Sequence, residues 1–104
     1  MIVTTQDTFA DRKIVSTIGL VKGNTIRARH LGKDLLAGLR MIIGGEITEY
    51  TKMLAESREQ AVDRMIADAR AQGANAIVGM RFTTSGIMQG SAELLAYGTG
   101  VVVE

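Results

Sequence analysis

The sequence predicts an α+β domain in which an antiparallel sheet is packed by one long helix and one short helix. Three observations predict it. An amphipathic run over residues 46–72 stops at Gly73. Two apolar segments rich in β-branched residues follow, over 76–84 and 91–103. A third such segment, over 13–21, precedes the run. The order is β, then helices, then β-β, which folds as two layers around one core. At 104 residues the chain forms a single domain.

Each element has a local reason. Residues 2–4 are apolar and β-branched and form a short strand. Residues 5–11 are polar and turn-rich. Residues 13–21 (KIVSTIGLV) form a strand, and Gly23-Asn24 marks a tight turn or bulge after it. Residues 25–29 continue extended. Beyond Gly32, Leu35, Leu36, Leu39, Ile42 and Ile43 recur at helical spacing and predict a short helix, broken by Gly44-Gly45.

In the long helix, Ile47, Tyr50, Leu54, Ala61, Val62, Met65, Ile66 and Ala69 form the buried stripe. Lys52, Glu56, Glu59, Asp63 and Arg70 face away, and Arg64 with Asp68 makes an i,i+4 pair. Gly73 supplies the left-handed residue that closes a helix. Residues 86–90 read as a hairpin loop between the last two strands.

Those two strands are apolar on both sides. Along the last one, Leu94, Ala96, Gly98, Gly100 and Val102 alternate with Leu95, Tyr97, Thr99, Val101 and Val103. Along the one before it, Ala76, Val78, Met80 and Phe82 share a face, opposite Ile77, Gly79 and Arg81. A helix layer covers one face, so the other needs a second cover. Another copy of the chain is the expected one. The competing cover is the 5–11 loop or the short helix of the same chain.

Composition narrows the function classes. The net charge of +1 argues against nucleic acid as the main partner. The absence of cysteine excludes disulfides, thiolate catalysis and cysteine-based metal sites. The first residues carry neither a basic leader nor a long apolar core, and no apolar run reaches the roughly 20 residues of a membrane span. The expectation is a soluble cytoplasmic protein with no membrane partner.

Three segments carry a resemblance: Gly44-Gly45-Glu46-Ile47-Thr48-Glu49-Tyr50-Thr51, Asn24-Thr25-Ile26-Arg27-Ala28-Arg29-His30 and Gly73-Ala74-Asn75-Ala76. Together with Ile2-Val3-Thr4-Thr5 and Ala96-Tyr97-Gly98-Thr99 they resemble the YbjQ family from end to end. The resemblance implies a dodecin-like βαββ subunit and a ring-shaped homo-oligomer of five copies. It also brings the family label of heavy-metal binding, without an established function.

The candidate chemistry is sparse. One histidine, His30, is the sole candidate metal ligand of its kind, and a metal site requires copies of it gathered from several subunits. Without cysteine, a metal cofactor is weakly supported. The methionines read as core filler. The stronger candidate is a basic cluster, Arg27, Arg29, His30 and Lys33, around Gly32 at the start of the short helix, with Arg81 as a further contributor. Unsatisfied amides there and bidentate guanidinium groups suit a small anion. The plain alternative is a solvated face or salt bridges to Asp34, Glu46 or a neighbouring subunit.

No carboxylate pair has a spacing suited to general acid–base work and no GxSxG or P-loop pattern is present, so no catalytic residue is expected. Gly98-Thr99-Gly100 reads as a site of close backbone approach. The leading reading is a non-catalytic homo-oligomer that binds a small anion, ligand or metal ion between subunits. The alternative is a structural or protein-interaction ring without a ligand, and an enzyme ranks last.

Overall fold

The computed structural model describes residues 1–27, 48–88 and 91–104. The short helix expected over 35–43 lies outside the described residues. Within them the elements are β1 (Ile2–Val3), β2 (Ile14–Arg27), α1 (Thr48–Ala71), β3 (Ala76–Met88) and β4 (Ser91–Val103). The strands form one sheet in the order β1-β3-β4-β2.

The expected α+β architecture is present, with one correction to the sheet. β3–β4 and β2–β4 are antiparallel, but β1 runs parallel to β3, with Ile2 beside Ala76 and Val3 beside Ile77. The sheet is therefore mixed. The chain leaves β1 through an irregular segment and reaches β3 only after a helical crossover, which allows parallel pairing.

β2 is a single 14-residue strand, with no turn at Gly23-Asn24. Gly23 is there because α1 lies directly on it. A Cβ at that position would overlap the backbone of Met65 and Ala61. The helix reaches that close because its inward face is a series at i+4 spacing, Ser57, Ala61, Met65 and Ala69, all buried. Val62 and Ile66 flank it, half-buried. Lys52, Glu56, Glu59, Asp63 and Arg70 are exposed, as the periodicity requires.

Helix α1 ends as expected at Gly73, whose φ is +95°. The Ala74 amide donates to Ala69 O (2.9 Å) and the Gly73 amide donates to Arg70 O (3.1 Å). This pair is the Schellman closure, and Ala69 and Ala74 pack together in the core behind it. Asn75 then reaches across to β4. Its Nδ2 donates to Val103 O (3.0 Å), and the Val103 amide donates to its Oδ1 (2.8 Å).

β3 departs from simple alternation. Val78 pairs with Thr99, but the next partner of β4 is Arg81, opposite Tyr97. The extra residue is a bulge at Gly79, where φ is +62°. The expected face Ala76, Val78, Met80, Phe82 is therefore wrong past the bulge. Ile77 and Met80 belong to the core beneath α1, and Ala76 and Val78 to the opposite face. Phe82, opposite the buried Ala96, follows Met80 to the helix side. The hairpin is also tighter than expected, because Gly86 and Met88 still pair with Ala92 and Ser91.

Two apolar clusters result. Under α1 lie Val21, Ala61, Met65, Ala69, Ala74, Ile77, Met80 and Ala96. On the other side Ala76, Val78, Val101 and Val103 pack with Phe9 and Ile14. The second face is thus partly covered by the chain's own loop, the cover that competed with assembly in the sequence reading. Gly98 and Gly100 do sit at close approaches, to Ile77 and Val78 and to Val21 and Ala74.

Candidate functional site

Helix α1 lies over β2 and β4, covers Ile77 and Met80 of β3, and leaves the helix side of β3 open at Phe82. A groove forms there, lined by Ala55, Arg58, Glu59, Val62, Asp63 and Phe82. Phe82 is 43% exposed in it. Its floor is apolar and its rim carries both signs of charge, so it suits packing against an amphipathic surface better than proton transfer. On the opposite face Leu20 and Ile26 are 62% and 58% exposed.

The two edges of the sheet differ. In an antiparallel ladder alternate residues turn their backbone groups away from the partner strand. At the β2 edge these groups meet side chains of α1 and of Gln72, the residue just past its end. Gln72 Nε2 donates to Leu20 O (3.4 Å), the Lys22 amide donates to Asp68 Oδ2 (2.9 Å), and Arg64 donates to Asn24 O (2.5 Å). Gln72 also donates to Asp68 Oδ1 (3.0 Å). The backbone donor at Lys22, the Gln72 amide and the Lys22 charge together hold the Asp68 carboxyl below the usual carboxylate range, against a small opposing effect of burial.

At the β3 edge, the N-terminal segment accompanies the strand only as far as the bulge. The Thr4 amide donates to Ile77 O, and the amides of Gly79 and Met80 donate to Gln6 O and Thr4 O. Past it, residues 81–86 are all exposed, and among the described residues no strand pairs with them on the side away from β4.

Of the sequence-predicted site residues, Arg29, His30 and Lys33 lie outside the described residues. The backbone of Arg27 ends β2, opposite Ala92. Arg81 sits opposite Tyr97, five positions further along β4, or about 17 Å at the rise of a strand. One chain therefore does not bring Arg81 to Arg27. Arg81 is used locally, donating to Thr5 O and Met80 O (both 2.8 Å), which pins the N-terminal segment to the bulge. Phe82 and the Arg64–Asp68–Gln72 series were not singled out from sequence as a site. The i,i+4,i+8 spacing of the latter was its visible signal.

Among the described residues no group of three or more His, Cys, Asp and Glu is placed to hold a metal ion. The donors present there do not fit a heavy metal within one chain. No helix among the described residues is long and apolar enough to cross a membrane.

The YbjQ family model, described as "Putative heavy-metal-binding", matches residues 1–104. The chain belongs to the YbjQ family. Similar proteins include a UPF0145 protein of Dehalococcoides mccartyi, 59% identical over 104 residues and covering all of both chains. A UPF0145 protein of Methanosarcina acetivorans is 54% identical over 103 residues, covering 99% of this chain and 97% of that one. A solved protein with unknown function of the DUF74 family from Pediococcus pentosaceus superposes with a TM-score of 0.64 at 16% identity, covering 100% and 98% of the two chains. That likeness supports the fold of this YbjQ family member and nothing finer.

Proposed function

We propose that the chain is the protomer of a non-catalytic homo-oligomeric ring of five subunits, which binds a small anion, ligand or metal ion where subunits meet. The observation that carries this reading is apolar surface left open on both faces of the sheet, Leu20 and Ile26 on one and Phe82 on the other. Full burial of such a side chain stabilises by about 1.5–3 kcal/mol. A second copy of the chain supplies that burial, and symmetric closure limits its growth.

In this reading Arg27, Arg29, His30 and Lys33 form the ligand site. Guanidinium groups grip an anion in a bidentate manner and lysine adds a point charge. Arg81 joins them only across a subunit boundary. A metal ion would depend on His30 repeated around the ring, because neutral imidazole is the one soft nitrogen donor the chain offers. A ring that docks another protein without a ligand is the alternative, and the open β3 edge favours it as a place for strand addition.

Native mass spectrometry of gently purified protein tests the proposal. The expected result is a five-subunit mass carrying a small anion that is lost in Arg27→Ala/Arg29→Ala. A monomer at every concentration overturns the assembly, and a consistently empty ring overturns the binding role. Titration with zinc, copper and nickel, compared with His30→Ala, decides the metal; identical isotherms remove it.

A further inference from the structure

We propose that Arg64, Asp68 and Gln72 are a built-in guard that prevents copies of this chain from joining edge to edge into an open filament. The inference goes beyond the ring and holds for a protomer of any closed assembly. It stands on the asymmetry of the two sheet edges.

An unpaired strand edge is a template for another strand. Among the described residues, β3 presents such an edge past its bulge, over the exposed and uncharged residues 82–86. β2 is the opposite edge of the same sheet. An open β3 edge meeting an open β2 edge on the next copy is a head-to-tail contact, and a head-to-tail contact that does not close by rotation propagates without limit.

The β2 edge is not open. Its three successive outward-facing residues, Leu20, Lys22 and Asn24, each have a backbone group bonded to one side chain, that of Gln72 just past the end of α1, or of Asp68 or Arg64 within it. The three side chains stand at i, i+4 and i+8, one above another on the flank of the helix. Their donor and acceptor types match what the strand presents. An amide and a guanidinium meet the carbonyls of Leu20 and Asn24, and a carboxylate meets the Lys22 amide. The Gln72–Asp68 bond ties two of the three together. An incoming strand would have to break all three bonds and push the side chains aside.

The test removes the guard without weakening the helix. Arg64→Ala/Asp68→Ala/Gln72→Ala keeps residues of high helix propensity on an exposed flank. Far-UV circular dichroism of the variant should match the wild type. In sedimentation velocity the wild type should hold one mass across concentration, whereas the variant's mean mass should rise continuously.

A second variant separates strand addition from simple unfolding. Thr84 pairs with Leu94 and, like Phe82, turns its backbone away from β4, so Thr84→Pro blocks the β3 edge without cutting the hairpin. Added to the triple variant, it should abolish the growth. The proposal is overturned if the triple variant sediments like the wild type, or if growth persists with Thr84→Pro. The wild-type subunit number, read in the same runs, reports on the ring separately.

Discussion

Gly23 shows how much of this fold depends on a missing atom. The inward face of α1 uses Ser57, Ala61, Met65 and Ala69, and Ala61 and Met65 bring their backbone against β2 where Gly23 has no side chain. Gly23→Ala should lower stability by about 1–3 kcal/mol, the usual cost of overpacking. Backbone cannot move aside as a flexible side chain does. Gly86→Ala is the control, because nothing lies within 4 Å of its Cβ, and it should stay within about 0.5 kcal/mol of wild type. Urea unfolding midpoints of the two variants check the pair. Asn75 is the second decisive residue, clamping Val103 through both backbone groups. The Gly73-Ala74-Asn75-Ala76 segment thus closes a helix and starts a strand within four residues. Its glycine was legible as a stop, but the amide clamp was not, because Val103 is 28 residues away.

Among the elements, α1 was the most legible and β3 the least. From Leu54 onward helical periodicity placed the buried and exposed faces of α1 correctly, apart from the buried Ser57 and the 39% exposed Leu54; Ile47 and the side chain of Tyr50 lie outside the described residues. Simple alternation failed in β3 because the bulge at Gly79 shifts every later side chain to the other face. A glycine inside a strand was the available signal. The contact between α1 and β2 carries a pH dependence. The folded-state pKa of Asp68 lies below its ordinary value. Its contribution to stability is therefore present above the ordinary carboxylate pKa, about 3.9, and is lost as pH falls through the folded value. Thermal melts of wild type and Asp68→Ala should differ at pH 7, and the gap should close as pH drops below about 4.

For the whole molecule, the expectation of self-association rests on the second face of the sheet. Half of the expectation held. The face is apolar at Ala76, Val78, Val101 and Val103, but Phe9 and Ile14 of the same chain cover that part. Along β2, Leu20 and Ile26 remain open on this face, interspersed with Lys22 and Asn24. Ile26→Glu should leave the circular dichroism of the fold unchanged, since the side chain is exposed within the protomer. It should weaken self-association by roughly tenfold or more, the equivalent of one lost apolar burial. Sedimentation across a dilution series measures it, and an unchanged mass distribution would assign the interface elsewhere.

Local chemistry was enough to determine the order of the described elements, the helix stop at Gly73, the apolar character of the last strands and the absence of thiol chemistry. Periodicity and backbone stereochemistry act within a few residues, so the chain alone carries them. The tertiary structure alone decided the parallel pairing of β1, the face of Phe82, the fastening of Arg81 to Thr5 and the sealing of the β2 edge. Each of these joins groups far apart in sequence, where a one-residue bulge or the seating of a helix selects the partner.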